Sequence, residues 1–276
     1  MPGQWPGILI TGLWASILTL ELNTLPLRNY RIRPMNILGI IPARYASTRF
    51  PGKPLVLIAG KTMIQRVYEQ ANKAQRLFAA VVATDDERIF NHVISFDGKA
   101  VMTRSDHQSG TDRCAEAMLA FDKIDAVINI QGDEPMLDPS QIDQLALCFE
   151  DPMIEIATLI KRITNTEDLD NANIIKVVQN INTEAIYFSR SPIPFLRGTA
   201  KTEWLNKQKY FKHIGLYGYR IDILQKISLL KPSFLEHSES LEQLRWLENG
   251  INIRLAETTI ETQAIDSPED LEKLSF

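Results

Sequence analysis

Short apolar runs alternate with amphipathic segments over residues 36–150. The runs are bounded by turn residues, which is typical of buried strands, and the segments between them place apolar residues three and four apart, as helices do. We predict strands at residues 37–41 (ended by Pro42), 78–83, 100–103 and 126–130. We predict helices at residues 62–75, 87–96, 109–121 and 140–149. This alternation indicates an α/β fold with a doubly wound, mostly parallel sheet covered on both faces.

The rhythm changes after residue 150. Three predicted strands follow one another without helices between them, and the last third of the chain mixes strands with helices. We interpret this half as antiparallel additions to the same, therefore mixed, sheet, plus a projecting segment near 160–212. No linker rich in Gly or Ser divides the chain, so residues 35–276 are expected to form one domain. The later strands are at 154–163, 174–178, 185–188, 211–219 and 251–255, and the helices at 221–230, 240–247 and 267–274.

The first 34 residues differ from the rest. Residues 5–22 are mostly apolar, but Pro6 and Gly12 interrupt them, and no basic residue starts a secretory signal. Met35 directly precedes the first predicted strand. We therefore expect the functional chain to begin at Met35 and regard residues 1–34 as an upstream-start artefact. The alternative is a weak membrane or targeting segment.

Composition adds limits rather than a function. The 276 residues are 45% hydrophobic with a net charge of −4, which is ordinary for a soluble protein. This mild acidity gives no reason to expect nucleic acid or a membrane surface as a partner. Cys114 and Cys148 both fall in apolar helical patterns, so we expect them to fill the core in a reducing compartment. A cytoplasmic protein without stable membrane insertion is the resulting expectation.

A basic loop follows the first predicted strand. It contains Arg44, Arg49 and Lys53, the hydroxyl residue Ser47, and Gly52 between two prolines. A loop that leaves the carboxyl end of a buried strand is where an open α/β sheet binds its ligand, and cations with free backbone N–H groups suit a polyphosphate. The alternative is a solvated surface loop. The loop does not have the Walker pattern.

Carboxylates occur at two further positions where a metal could bind. Asp133 follows the fourth predicted strand, and Mg²⁺ prefers one or two carboxylates together with phosphate oxygens. The alternative is a turn acid that caps the next helix, and Glu134 fits that role better than a ligand's. Asp266 precedes the last helix, where it could be a second metal ligand or a partner of the helix dipole.

Polar side chains at other strand ends and helix starts complete the candidate site. The polar pattern of residues 103–113 predicts a loop that recognises a nucleotide or a sugar. Within it, we favour a hydrogen-bonding role for His107 over a role as general base. In 213–219, alternate side chains place His213 and Tyr217 on one face, where they could line a polyol pocket or form a half-buried aromatic face. Arg190 could bind a carboxylate or lie at the surface. Residues 242–245 read alone as a solvated helix face.

The joint order of these segments resembles the sugar cytidylyltransferases, and among them the family that acts on the sugar acid 3-deoxy-manno-octulosonate (Kdo). Residues 42–55 are similar to the signature loop of that family. Asp112 stands where Glu is expected, Phe50 where Leu is usual and Ser267 where Thr is usual; residues 196–209 match least, and residues 1–34 lie outside the resemblance. The other matching segments are 83–85, 103–113, 131–135, 187–190, 213–219, 241–245 and 266–271.

The resemblance implies a nucleotide-diphospho-sugar transferase-like (Rossmann-like) fold and a homodimer built on the projecting segment. It implies that CTP and Kdo give CMP-Kdo and diphosphate, with Mg²⁺, for lipopolysaccharide biosynthesis. A cytidylyltransferase for another sugar acid, of sialic-acid type, and a catalytically silent nucleotide-binding homologue remain the alternatives. The implied catalytic residues are Lys53, Arg44 and Asp133, and the implied metal ligands Asp133 and Asp266. The implied nucleotide-binding residues are Arg44, Ser47, Arg49, Lys53, Arg104, Ser109, Gly110 and Gln131. The implied sugar-binding residues are Arg104, Gln131, Arg190, His213, Tyr217, Glu242 and Gln243.

Overall fold

A computed structural model describes residues 35–46, 50–262, 264–265 and 267–272 of the chain. The predictions for residues 1–34, and those for Ser47, Arg49 and Asp266, lie outside these residues. The described residues from Met35 onward belong to one compact unit. No helix in this part of the chain is both long and apolar enough to cross a bilayer.

The described residues alternate strands and helices in the first half and mix them more freely in the second. The strands are β1 (Ile37–Ala43), β2 (Leu57–Ile58), β3 (Lys61–Thr62), β4 (Leu77–Thr84), β5 (Ala100–Met102), β6 (Ala126–Asn129), β7 (Ile156–Arg162), β8 (Lys176–Gln179), β9 (Ala185–Ser189), β10 (Phe211–Arg220) and β11 (Ile253–Thr258). The α-helices are α1 (Met63–Ala71), α2 (Glu87–Ser95), α3 (Gly110–Ala117), α4 (Pro139–Cys148), α5 (Thr166–Asp170), α6 (Trp204–Lys207), α7 (Ile221–Ser228), α8 (Phe234–Glu239), α9 (Gln243–Glu248) and α10 (Pro268–Glu272). Short 3₁₀ turns span Lys53–Leu55, Met118–Ala120 and Lys201–Glu203.

Nine of these strands form one mixed sheet with the order β11-β7-β10-β6-β1-β4-β5. The neighbours β6, β1, β4 and β5 are parallel, and β11 is parallel to β7. β10 runs antiparallel to both β6 and β7, and the β8–β9 hairpin joins the sheet through β10. The prediction of a mostly parallel, mixed sheet is confirmed, whereas β11 is a parallel rather than an antiparallel addition.

Helices cover both faces of the sheet, so the predicted doubly wound arrangement is confirmed. One buried apolar cluster joins the sheet to α3, α7 and α9, and includes Cys114, Leu224 and Trp246. The other joins it to α1, α2 and α4, and includes Val67 and Leu145. A small, separate cluster packs the segment that follows β7: Ile163, Leu169, Trp204 and Tyr210.

Pro42 was expected to end the first strand, but β1 continues to Ala43. The pairing of β1 with β6 ends at Ile40 opposite Asn129, and the Ile40 carbonyl accepts from Ile130 on that side. In a parallel strand, alternate residues present their backbone groups to the same neighbour, so Pro42 faces the side on which β6 has already ended. Its missing N–H therefore costs the sheet no hydrogen bond.

Three short helices were not predicted. α5 lies between β7 and β8, α6 lies between β9 and β10, and α8 precedes α9. With five, four and six residues, none of them is long enough to show a helical period. At the start of α8 the Ser233 backbone N–H donates to the Glu236 carboxylate at 3.0 Å, which is one half of a capping box, and this Ser–Glu spacing is visible in the sequence.

Candidate active site

The candidate site is a cavity of about 250 Å³ at the carboxyl ends of β1 and β6. Parallel strands end at the same edge of the sheet, so the loops that follow them converge there. Gly132 allows this convergence, because a Cβ at that position would lie 2.9 Å from the Pro42 carbonyl oxygen. The lining residues are Pro42, Ala43, Arg44, Lys53, Pro54, His107, Gln108, Ser109, Gly110, Arg113, Gln131, Gly132 and Asp133.

The basic loop forms one wall of the cavity. Gly52 has φ 73°, in the left-handed region that suits glycine, and its N–H donates to the Tyr45 carbonyl. The Tyr45 ring packs beneath the Arg88 guanidinium, 3.3 Å from the ring centroid. Lys53, directly after Gly52, lies in the cavity wall, and Arg44 is exposed at the same opening.

Lys53 and Asp133, 80 residues apart in sequence, are in direct contact. The Lys53 Nζ donates to Asp133 Oδ2 at 2.7 Å and to the Ile265 carbonyl at 2.9 Å. Both side chains keep some solvent contact, with 14% of Lys53 and 26% of Asp133 accessible. Lys53 was assigned to phosphate and Asp133 to metal, yet here the two side chains neutralise each other's charge. An anionic ligand that binds Lys53 must therefore either join this ion pair or displace Asp133 from it.

The start of α3 forms the opposite wall. Ser109 caps the helix and makes a capping box with Asp112, each side chain accepting from the other's backbone N–H. Asp112, which stands where Glu was expected, therefore performs the same capping role. Ser109 and Gly110, both predicted to bind nucleotide, lie in the cavity wall beside the free N–H groups of a helix start.

The loop before α3 is fixed by Glu116 of that helix. The Glu116 carboxylate accepts from the Arg104 backbone N–H and contacts the His107 ring. Arg104 itself, predicted to bind both nucleotide and sugar, is exposed and lies in a neighbouring open groove between α3 and α7 rather than in the cavity. The contact of His107 with Glu116 makes it a hydrogen-bonding residue of the loop, as expected.

Arg113 was assigned no role from the sequence, yet its buried side chain reaches the cavity. Its Nη1 donates to Thr103 Oγ1 at 2.6 Å and lies 3.4 Å from Asp85 Oδ1. One sequence signal could have identified Arg113. It precedes the buried Ala117 by four residues, so it places a charge on the core-facing side of an amphipathic helix.

The predicted sugar-binding residues extend from the cavity toward β10 and α9. Gln131 lines the cavity and donates from Nε2 to the Gly215 carbonyl at 2.9 Å. His213 and Tyr217 lie on one face of β10 with ring centroids 5.0 Å apart, as the alternation predicted. Arg190 does not line the cavity, because its guanidinium donates to the Glu239, Ala172 and Ser240 carbonyls. The last of these residues, Gln243, is buried at the start of α9.

Burial dominates the electrostatics of this half. It lowers the pKa of His213 to about 3, so the imidazole is neutral. Burial, with the Glu242 charge second, raises the pKa of Tyr217 well above its ordinary value. The Tyr217 hydroxyl is buried without a hydrogen-bond partner among the described residues. Such an unpaired donor can serve a polar ligand.

Glu242 is a carboxylate whose pKa burial raises above its ordinary value of 4.5, against the lowering effect of its hydrogen bond from Thr111 Oγ1. A raised pKa means that the folded state binds the proton more tightly, so this group's contribution to stability falls as pH rises above about 4.5. We expect Glu242→Gln, which cannot ionise, to gain stability relative to wild type between pH 4.5 and pH 8. Urea midpoints at the two pH values measure this, and an unchanged difference would contradict it.

The structure supplies one described carboxylate suited to a metal at the cavity. No group of three or more His, Cys, Asp or Glu side chains is arranged to hold an ion among the described residues. Asp133 faces the cavity, whereas burial and then the Asp133 charge raise the pKa of the buried Glu134 to about 7. Because Mg²⁺ accepts one or two carboxylates plus phosphate oxygens, Asp133 fits this ion when a phosphate ligand is also present.

Comparison with known proteins gives a consistent result. The sequence profile of the family described as "Cytidylyltransferase" matches residues 38–255. The chain is 56% identical over 241 residues to the 3-deoxy-manno-octulosonate cytidylyltransferase of Bacteroides thetaiotaomicron, covering 86% of this chain and 96% of the relative. The protein of the same name from Cytophaga hutchinsonii is 57% identical over 239 residues, covering 86% and 95%. A solved CMP:2-keto-3-deoxy-manno-octonic acid synthetase complexed with CTP is 46% identical, with a TM-score of 0.81 over 86% of this chain and 96% of that chain.

Proposed function

Since the chain belongs to the 3-deoxy-manno-octulosonate cytidylyltransferase family of nucleotidyltransferases, we propose that it converts CTP and Kdo into CMP-Kdo and diphosphate for lipopolysaccharide biosynthesis. The observation that carries this proposal is the contact of Lys53 with Asp133 in a cavity that the basic loop also lines. At the carboxyl ends of these strands, a cation can bind the triphosphate and a carboxylate can bind its metal ion.

The reaction joins the anomeric oxygen of Kdo to the α-phosphorus of CTP. The bond from that phosphorus to the diphosphate breaks, and the hydroxyl loses its proton. Phosphoryl and nucleotidyl transfers of this kind depend mainly on positioning and on neutralising charge. We assign Arg44 and Lys53, with Ser47 and Arg49 of the same loop, to the triphosphate, and we assign to Lys53 the neutralisation of the leaving diphosphate.

We assign the sugar acid to the β10 side of the cavity. Gln131 connects the cavity wall to β10, where His213 and Tyr217 lie together. Glu242 is joined to α3 through Thr111. These groups offer hydrogen bonds at fixed positions, which suits a polyhydroxylated substrate. The guanidinium of Arg190 is held by three carbonyls, so a role for it in binding the sugar carboxylate requires an exchange of those partners.

Mg²⁺ is the cofactor we propose, with Asp133 as a ligand and Asp266 as the second. Bound beside the α-phosphate, the ion would supply Lewis-acid charge to that phosphate and to the sugar hydroxyl. The chain's own part is to hold the Asp133 carboxylate at the cavity, which it does through the tight approach of Gly132 to Pro42.

We further propose a cytoplasmic homodimer. The exposed apolar side chains Ile181, Ile186 and Phe195 belong to the segment expected to project, and an apolar surface of this kind favours association with a second copy. Sedimentation measurements of the purified protein test this state directly.

A diphosphate-release assay with CTP, crossed against Kdo and a sialic acid, tests the function. Release with Kdo and little with the sialic acid is the expected result. Release with the sialic acid instead would support the sialic-acid-type alternative. No release with either, from protein that binds CTP, would support the catalytically silent alternative.

A further inference from the structure

β10 carries a two-residue bulge beside the candidate sugar site. Ile214 pairs with Leu159 of β7, but the next pair joins Tyr217 to Thr158, so two residues of β10 have no counterpart on β7. Because the insertion is of two residues, the alternation of faces is kept and His213 stays on the face of Tyr217. One inserted residue, Gly215, has the carbonyl that accepts from Gln131, so the bulge is tied to the cavity.

The Thr158 side chain fills the opening of this bulge. The residue is fully buried, and its Oγ1 lies 2.8 Å from the Leu216 carbonyl oxygen and 3.2 Å from that of Ile214. The same Oγ1 lies 2.9 Å from His213 Nε2. Three partners therefore surround a hydroxyl that has one proton to give.

Counting protons decides the direction of these bonds. A carbonyl oxygen can only accept, so the hydroxyl proton is best used on the Leu216 carbonyl. His213 Nε2 must then be the donor to Thr158 Oγ1, which makes two good hydrogen bonds. In the reverse arrangement the hydroxyl donates to Nε2. That arrangement makes only one hydrogen bond and leaves the buried Leu216 carbonyl without the hydroxyl as its donor.

The surroundings of the ring keep this arrangement neutral. His213 lies between the rings of Phe188 and Tyr217, with centroids at 5.3 and 5.0 Å. Among the described residues no acidic group contributes to its pKa, and burial alone lowers the pKa of the imidazole to about 3. A neutral ring with its proton on Nε2 has an unprotonated Nδ1, which can only accept a hydrogen bond.

We propose that Thr158 is a positioning residue that fixes His213 as the Nε2–H tautomer, so that Nδ1 accepts a hydrogen bond from a hydroxyl group of the substrate. An acceptor at this position selects a polyol hydroxyl and disfavours a carboxylate, which is also an acceptor. The part that concerns the substrate rests on the proposed function, because the sugar acid is assigned to β10 there. The tautomer and the bulge rest on the structure alone.

Nitrogen-15 NMR of the imidazole, with His213 signals assigned by their loss in His213→Gln, tests the tautomer without any substrate. We expect an unprotonated Nδ1 and a protonated Nε2 in the wild-type protein. In Thr158→Val, which keeps the shape and removes the hydroxyl, we expect the signals to shift toward the other tautomer, and Thr158→Ser should restore them. A wild-type ring protonated on Nδ1, or a serine variant that behaves like the valine variant, would overturn the proposal.

Kinetics give the second readout. Thr158→Val should raise KM for the sugar acid about tenfold, the usual effect of one misdirected hydrogen bond, and leave KM for CTP unchanged. Thr258→Val is the matched control, because it removes a buried threonine hydroxyl at the end of β11 whose one hydrogen bond among the described residues comes from the Ile260 N–H. An equal rise in both KM values, or the same rise in the control, would overturn the link to the substrate. If no sugar acid reacts, the proposed function fails while the NMR result still decides the tautomer.

Discussion

Lys53→Ala will lower turnover by about 10²-fold or more while changing KM for CTP much less. A lysine that neutralises the diphosphate as it leaves acts most strongly in the transition state, so its removal reduces kcat rather than binding. The magnitude is that found on removing other preorganised charge-stabilising groups. Steady-state kinetics with CTP varied at saturating sugar acid measure the separation of kcat from KM.

Stability needs a separate measurement, because Lys53 also contacts Asp133 and the Ile265 carbonyl. Asp133 remains 26% accessible, so water can solvate the carboxylate after the change and the fold should persist. Lys61→Ala is a matched control, because it also removes a lysine from an ion pair, the solvent-exposed pair of Lys61 with Glu69. Unchanged turnover with a raised KM for CTP would reassign Lys53 to ground-state binding.

The sequence predicted the parallel half of the sheet well because periodicity is a local property. The strands β1, β4, β5 and β6 are short apolar runs between amphipathic helices, and their order in space follows from the rules of α/β folds. The position of the site at their carboxyl ends followed from the same rules. Pro42 was misplaced because its effect depends on where β6 ends, which is a fact of register and not of local sequence.

The pairings within the site could not be predicted in this way. Lys53 and Asp133 were each identified, but their contact depends on two loops that approach across Gly132. Arg104 was expected in the site because the recognition loop contains it, yet Glu116 holds its backbone and the side chain lies in the outer groove. Thr158 gave no signal at all, since a threonine within an apolar strand looks like any other β-branched residue.

Asp133→Asn will abolish most Mg²⁺-dependent turnover, with a loss of about 10²-fold or more. The amide keeps the shape of the side chain but removes the negative charge that a hard cation needs as a ligand. If Asp133 faced only a second metal-binding aspartate, removing its charge would leave stability unchanged or slightly increased. The contact with Lys53 changes this expectation, because the carboxylate already has a cation at 2.7 Å. We now expect a small loss, of up to about 1 kcal/mol for a solvent-accessible pair.

The measurement is kcat as a function of Mg²⁺ concentration, together with a urea midpoint for each protein. Asp143→Asn is the control, because it also removes one carboxylate charge, from a side chain whose partners in the described part of the chain are the backbone N–H groups of Gln75 and Arg76. Loss of turnover and of Mg²⁺ dependence in Asp133→Asn alone would place the metal at the end of β6. An Asp133→Asn protein with ordinary turnover and an ordinary response to Mg²⁺ would remove Asp133 from the metal site and leave it as the structural partner of Lys53.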